Sequence, residues 1–164
     1  LLDVTRISQG QAVIKKQRLD LDGLIAETVE ELQVTTNIRL VITEHLPLPI
    51  IWGDRERLEQ VLTNLLANAI KYAPEAREVF IHADSEPGKV TISIQDFGAG
   101  MSVESLRKIF DRYYRLEEPA TGRHPGVGLG LYIASEIIRR HGGEIKVSSQ
   151  KDKGSVFTVT LPVD

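Results

Sequence analysis

The stretch of sequence that decides the fold is Arg55-Glu-Arg-Leu-Glu-Gln-Val-Leu-Thr-Asn-Leu-Leu-Ala-Asn-Ala-Ile-Lys-Tyr72. Its apolar residues recur every three or four positions, which is the period of a helix with one face against a core. Asn64, Asn68, Lys71 and Tyr72 share one sector beside that apolar stripe. Asn is a poor residue for a helix interior, so the two amides either serve a ligand or form a polar solvent edge.

The segments on both sides of this helix predict a sheet of paired strands and further helices. Consecutive strands are joined by turns, which favours antiparallel pairing. We expect a two-layer α/β (α+β) sandwich, a mixed, mostly antiparallel sheet with about three helices on one face. The predicted N-caps are Asp20, Asp54 and Ser102. The other predicted helices cover 21–35, 102–110 and 129–140, and the strands cover 38–43, 79–83, 90–95, 145–149 and 156–161, with a short apolar run ending at Trp52.

The composition of the 164 residues excludes several classes of function. The formal net charge is −3 without a Lys/Arg-dense run, so no nucleic-acid partner is expected. The absence of Cys excludes a disulfide scaffold, a thiolate metal site and a Cys nucleophile. No apolar run reaches the roughly 18 residues that span a bilayer. We therefore expect one domain that does not itself enter a membrane.

A second motif, Ile94-Gln-Asp-Phe-Gly-Ala-Gly100, places a carboxylate where a buried-type strand ends. A carboxylate there can accept a hydrogen bond from an exocyclic amine, and glycines beside it let a planar ligand approach the backbone. The alternative is a tight turn with a solvated Asp. Asp96-Phe97-Gly98 also matches the magnesium-binding triplet of eukaryotic-type protein kinases, but no His-Arg-Asp precedes it and the glycine-rich segment follows it.

The third motif is that glycine-rich segment, Gly126-Val-Gly-Leu-Gly-Leu131, which leads directly into a helix. Loop amides next to a helix N-terminus form a phosphate site. Leu131 occupies the third Gly position of a dinucleotide fingerprint, and no Gly-Lys-Ser/Thr follows. The segment is therefore neither a Rossmann fingerprint nor a Walker A loop.

In this order, the three motifs resemble the ATP-binding catalytic domain of sensor histidine kinases, in the superfamily that includes type II topoisomerase, Hsp90 and MutL ATPase domains. The resemblance covers residues 17–164, and residues 1–16 resemble the tail of an upstream dimerisation helix or a linker. The family motifs are the N box Asn64 to Tyr72, the G1 box Asp96 to Gly100, the F box Ile109-Phe-Asp-Arg-Tyr-Tyr-Arg115, the G2 box Gly126 to Leu131 and the last strand Gly154 to Pro162.

The resemblance implies that the N box and the G1 box hold opposite ends of ATP. Asp96 would bind the adenine amino group, in a pocket shaped by Gly98 and Gly100. Asn68 would coordinate Mg²⁺ that bridges the phosphates, with Asn64 beside it. The remaining nucleotide contacts of these boxes would come from Lys71, at the phosphates, and from Tyr72.

The resemblance also implies a lid over 117–125 that closes on the phosphates. The lid hinges and phosphate-binding amides would belong to Gly126, Val127, Gly128, Leu129, Gly130 and Leu131. Arg115 and Arg123 are candidate γ-phosphate contacts, which makes them catalytic candidates together with Asn64 and Lys71. Thr158 is expected to support the polar network on the adenine side.

Asn64 indicates phosphotransfer, because hydrolysing members of the superfamily carry a Glu at this position as general base and an amide cannot take that proton. The implied function is that of a protein-histidine kinase, which transfers the γ-phosphoryl group of Mg²⁺-ATP to a His on a separate dimerisation domain. A response regulator would act downstream, and the location would be cytoplasmic. The alternatives are a clamp-type ATPase and a nucleotide-binding pseudo-kinase module.

The chain itself offers no matching phosphoacceptor. The family acceptor follows a pattern like His-Glu/Asp-x-Arg/Lys-Thr/Ser-Pro, and none of His45, His82, His124 and His141 fits it. His124 is expected in an exposed loop. His141 is expected at a helix C-terminus, where the dipole favours its charged form.

Overall fold

The computed structural model of the protein describes residues 13–43, 47–73, 75–111 and 130–163. Within these ranges it contains four helices and seven strands. The helices are α1 (Leu21–Gln33), α2 (Arg55–Tyr72), α3 (Val103–Lys108) and α4 (Gly130–Arg140). The strands are β1 (Gln17–Leu19), β2 (Arg39–Ile42), β3 (Ile51–Gly53), β4 (Glu78–Glu86), β5 (Lys89–Asp96), β6 (Glu144–Gln150) and β7 (Gly154–Pro162).

Five strands form one mixed sheet in the order β2-β4-β5-β7-β6. Strand β2 runs parallel to β4, and the other neighbours are antiparallel. The predicted mixed, mostly antiparallel sheet is therefore confirmed. Strands β1 and β3 pair with each other in a separate antiparallel ladder. The sequence does not predict this ladder, because three residues are too few to show an alternating pattern.

The sheet buries one face because its strands alternate apolar and polar residues. In β5, Val90, Ile92 and Ile94 are buried and the residues between them are partly exposed. The register pairs Ile94 with Phe157 and Ile92 with Val159, so apolar side chains lie in rows across one face. The helices pack on that face and complete a two-layer sandwich.

Three helices form most of the second layer, as predicted. The predicted stripe of α2 is buried, and α1 and α4 each bury an apolar face. The fourth helix, α3, has no buried residue, but Ile109 directly after it is buried and the Phe110 ring packs edge-on against Phe157 at 6.2 Å between centroids. The predicted N-caps Asp20, Asp54 and Ser102 each accept a hydrogen bond from the amide three residues later.

The domain boundary predicted between residues 16 and 17 stays a prediction. Residues 13–16 form neither helix nor strand, and residues 1–12, where the helical tail was expected, lie outside the described residues. Across the ranges that are described, no helix is both long and apolar enough to cross a bilayer.

His141 links the end of α4 to the start of α2. Its side chain is 2% exposed, and its Nδ1 lies 2.8 Å from the Ile137 carbonyl oxygen. Its Nε2 accepts a hydrogen bond from the Asp54 amide at 3.0 Å, so Nδ1 carries the proton. Burial lowers the His141 pKa, an effect that Lys16 reinforces and that Asp54 and the Ile137 hydrogen bond oppose. The expectation of a charged histidine stabilised by the helix dipole is therefore wrong, because burial favours the neutral ring.

His141 should make the stability of the domain fall in mild acid. Its pKa in the folded state lies below the ordinary value of 6.5, so its stabilising contribution is present above pH 6.5 and is lost as the pH falls through the folded pKa. We expect the melting temperature to fall more steeply below pH 6.5 in the unsubstituted chain than in His141→Gln. Thermal unfolding by circular dichroism measures this. The exposed His82→Gln is the control, and equal slopes for the chain and His141→Gln would contradict the prediction.

Candidate functional site

Asp96 is a buried carboxylate at the end of β5, on the helix-covered face of the sheet. It is 6% exposed, and its Oδ1 accepts a hydrogen bond from the Gly98 amide at 3.0 Å. Burial raises the pKa of Asp96, while backbone hydrogen bonds from Gly98 and Ser155 lower it. Backbone amides, and not a basic side chain of the described residues, therefore hold this carboxylate. Two amides leave part of its acceptor capacity unused.

The loop 97–101 lies between the end of α2 and the turn that joins β6 to β7. A Cβ at Gly98 would meet the Tyr72 carbonyl oxygen and the side chain of Ala73. Gly100 has φ +73°, and a Cβ there would clash with the Gln150 backbone. Both glycines of the predicted G1 box thus have a steric reason to lack a side chain: they let the loop pack closely against the end of α2 and against β6.

The N-box residues lie on the same helix, α2, and differ in their contacts. Asn64, Asn68, Lys71 and Tyr72 are all half-buried. Asn64 Nδ2 donates to the Gly130 carbonyl oxygen at 3.1 Å, so Asn64 faces the first residue of α4. Lys71 Nζ lies 5.5 Å from the centre of the Tyr72 ring. Within the described residues, the Asn68 side-chain amide has no hydrogen-bond partner, which leaves its oxygen available.

The structure therefore brings together three of the predicted elements. The C-terminal half of α2 borders the loop 97–101 through Gly98 and the start of α4 through Asn64. The side chain of Leu131 is buried in the core, so of the two described G2-box residues only Gly130 faces the N box. The other predicted site residues, Arg115, Arg123, Gly126, Val127, Gly128 and Leu129, lie outside the described residues, as does the lid 117–125.

Thr158 does not support a network beside Asp96, and this prediction is wrong. Thr158 pairs with Ser93, and their hydroxyl oxygens lie 3.2 Å apart. Ser93 lies on the face of the sheet opposite to Asp96, because side chains alternate between the faces along β5. The strand partner of Asp96 is Ser155. An odd offset between Ser155 and Thr158 puts their side chains on opposite faces.

Two serines that the sequence alone did not single out complete this end of the site. Ser155 is 6% exposed, and its Oγ lies 2.8 Å from Ser149 Oγ on β6. Asp96, Ser155 and Ser149 are consecutive register partners across β5, β7 and β6. They form a polar row at the edge of an apolar face. In the sequence, Ser155 is marked only by its place directly after Gly154. The strand register is what shows that its side chain lies beside Asp96.

The described residues contain no group of three or more His, Cys, Asp or Glu side chains that could hold a metal ion. Mg²⁺ usually keeps several waters and uses one or two protein ligands together with substrate phosphates. The chemistry of this donor set, one available amide oxygen at Asn68 near Lys71, fits such a shared ion and not an all-protein cage.

Residues 53–164 match the family model described as histidine kinase-, DNA gyrase B-, and HSP90-like ATPase. The adaptive-response sensory kinase SasA of Thermosynechococcus vestitus is 39% identical over 167 residues, covering 99% of this chain and 43% of that protein. Sensor protein SrrB of Staphylococcus aureus is 33% identical over 164 residues, covering 99% of this chain and 28% of that protein. The chain thus spans less than half the length of these relatives.

Solved structures are similar over almost the whole chain. Full-length ShkA in complex with AMPPNP superimposes with a TM-score of 0.84 at 27% identity, covering 98% of this chain and 34% of that chain. The nucleotide-free catalytic domain of the histidine kinase ThkA gives a TM-score of 0.78 at 28% identity, covering 91% of this chain and 98% of that chain. The second match shows that a stand-alone domain of this size forms the same fold.

Proposed function

Because the chain belongs to the family of histidine kinase-, DNA gyrase B- and HSP90-like ATPases, we propose that it binds Mg²⁺-ATP and donates the γ-phosphoryl group to a histidine on a separate domain. The observation that carries this proposal is Asp96, a buried carboxylate that backbone amides hold and that has no basic partner among the described residues. The complex of ShkA with AMPPNP supports nucleotide binding by this fold.

The adenine end of the site follows from the hydrogen-bonding capacity of Asp96. An ionised carboxylate accepts about four hydrogen bonds, and the amides of Gly98 and Ser155 supply two. An exocyclic amine can supply another. Gly98 and Gly100 let the loop 97–101 pack against the end of α2 and against β6, which fixes the loop backbone beside Asp96. A buried acceptor left without a donor is costly, which favours a ligand that brings an N–H group.

The phosphate end would lie along α2 and at the start of α4. Lys71 provides an ammonium charge, and the first N–H groups of α4 beside Gly130 favour an anion. The Asn68 amide oxygen would hold Mg²⁺, which supplies positive charge to the phosphates when bound. We further propose that Arg115, Arg123 and the amides of residues 126–129 close over the γ-phosphate.

Asn64 favours transfer over hydrolysis. Its Nδ2 donates to the Gly130 carbonyl oxygen, and a neutral amide cannot remove a proton from water. ATP would be held until an external nucleophile reaches it. His141 cannot be that nucleophile, because its ring is buried and both nitrogens are hydrogen-bonded. The acceptor we propose is a histidine on a dimerisation domain of the parent protein, and a response regulator then takes the phosphoryl group.

Radiolabelled ATP distinguishes the three candidate activities. We expect the chain alone to bind ATP, to gain no acid-labile phosphate, and to label a histidine-bearing dimerisation domain of its parent protein when that domain is supplied. Multiple-turnover phosphate release by the chain alone would indicate a clamp-type ATPase. Binding of ATP without labelling of the supplied domain would indicate a pseudo-kinase.

Asn68→Ala should remove the dependence of ATP binding on Mg²⁺. We expect its affinity with Mg²⁺ to fall roughly tenfold, about 1.4 kcal/mol, to the value that the unsubstituted chain shows in EDTA. Titration calorimetry with and without Mg²⁺ measures both affinities. Asn37→Ala, an exposed Asn outside the site, is the matched control. An Asn68→Ala variant that still gains affinity from Mg²⁺ would exclude Asn68 as a ligand.

A further inference from the structure

We propose that Ser149 is a positioning residue of the nucleotide site, which fixes the Ser155 hydroxyl as a hydrogen-bond acceptor beside Asp96 and anchors the loop 97–101. The inference rests on the proposed function, since it concerns how that same site recognises adenine. Ser149 would not touch the nucleotide and would act through Ser155 and Met101.

The position of Ser149 in the sheet explains why its hydroxyl needs partners. Register pairs align Asp96 with Ser155 and Ser155 with Ser149 on the helix-covered face. The next row along the strands is apolar and contains Ile94 and Phe157. Polar groups at the edge of such a face must satisfy their hydrogen bonds locally.

Counting donors assigns a direction to each hydrogen bond of Ser149. A hydroxyl has one proton and two lone pairs. Ser149 Oγ accepts from the Met101 amide at 2.7 Å and donates its proton to the Gly154 carbonyl oxygen at 3.0 Å. The 2.8 Å contact with Ser155 Oγ is then one in which Ser155 donates.

Because Ser155 donates to Ser149, it can only accept a hydrogen bond from a ligand. The Ser155 proton is already committed to Ser149, so the Ser155 oxygen can only accept on its remaining side. Asp96, one strand away, is an acceptor as well. The site thus presents adjacent acceptors, which match the two N–H donors of the 6-amino group of adenine and repel a carbonyl oxygen at that position.

Ser149 also ties the loop 97–101 to the sheet. Its bond to the Met101 amide holds the end of the loop, and the Asp152 amide donates to the Ala99 carbonyl oxygen at 2.6 Å in the middle of the loop. The loop therefore has one anchor on β6 and one on the turn after β6. Removing the hydroxyl of Ser149 would loosen the loop and release the proton of Ser155.

Binding of two nucleotides to three variants tests this role. The ligands are ATP and purine riboside triphosphate, which lacks the 6-amino group, and titration calorimetry gives the affinities. We expect Ser149→Ala to weaken ATP binding about tenfold, the cost of one lost hydrogen bond to an ordered acceptor, and the analogue less than threefold. Ser149→Thr, which keeps the hydroxyl, should restore ATP binding. In a Ser155→Ala background, Ser149→Ala should have a smaller effect on ATP.

An equal loss for both ligands, no loss for ATP, or failure of Ser149→Thr to restore binding would overturn the inference. If Ser149→Ala does not fold by circular dichroism, Ser149→Cys replaces it with the same expected results, because a thiol is a weak hydrogen-bonding group. An unsubstituted chain that binds neither nucleotide would refute the proposed function itself, whereas normal binding of ATP with indifferent variants would refute only the role of Ser149.

Discussion

Asp96→Ala is expected to lower the affinity for ATP by at least about 100-fold while the domain stays folded. A hydrogen bond to a charged acceptor contributes roughly 1.5–3 kcal/mol, and the substitution also removes the acceptor that selects the base. The fold should tolerate the change because burial raises the pKa of Asp96. A raised pKa means that folding disfavours the charged form of Asp96. Above the folded-state pKa the charged carboxylate therefore lowers the stability of the domain, and its removal should not unfold the domain.

Calorimetry for ATP and thermal unfolding measure the two halves of this prediction. Asp84→Ala is the matched control, since Asp84 is an exposed carboxylate on β4. A second readout uses pH: because the Asp96 pKa is raised, ATP binding by the unsubstituted chain should weaken on acidification at a higher pH than an ordinary Asp would cause. Unchanged affinity in Asp96→Ala would refute the assignment of the adenine site.

Gly154→Ala is expected to destabilise the domain by about 2–5 kcal/mol, from backbone strain together with a steric clash. Gly154 has φ +110°, and a Cβ there would collide with the backbone of Asp96 and Phe97. The chain can relieve that collision only by moving the end of β5 away from β7. The same movement would displace Asp96, so ATP affinity should fall together with the stability.

Urea unfolding gives the free energy for this variant, and Gly88→Ala is its control. Gly88 also has a positive φ, +85°, but a Cβ there would meet nothing within 4 Å. The control therefore carries the conformational cost without the clash. If both variants lose the same stability, the contact with Asp96 contributes nothing.

The sequence predicts the elements of the sheet and helices well because their apolar periods are long. The stripe of α2 extends over eighteen residues, and β5 and β7 alternate cleanly. The ladder of β1 and β3 is missed because each strand has three residues. The parallel pairing of β2 with β4 is also not visible from the sequence, because periodicity reports a strand and not its neighbour.

Sequence motifs identify candidate site residues such as Asp96 directly. They do not show which side chains on neighbouring strands lie beside those residues, because that depends on the strand register. Gly98 lies beside Asp96 and the end of α2, and Asn64 faces Gly130 at the start of α4. Thr158 was the wrong residue of β7, since only the pairing of Asp96 with Ser155 shows which side chain shares its face. The sequence places His141 at a helix C-terminus, but it does not show that the ring is buried against the start of α2.

The turn between β6 and β7 determines when the site around Asp96 can form during synthesis of the chain. Asp96 emerges from the ribosome well before Ser149, Asp152 and Ser155, yet these later residues hold the loop and the carboxylate in place. Contacts so distant in sequence form late in folding. A nascent chain that has completed β5 but not β7 would contain the N box and the G1 box without a formed adenine pocket. Nucleotide binding would therefore begin only once the hairpin of β6 and β7 has left the ribosome and joined the sheet.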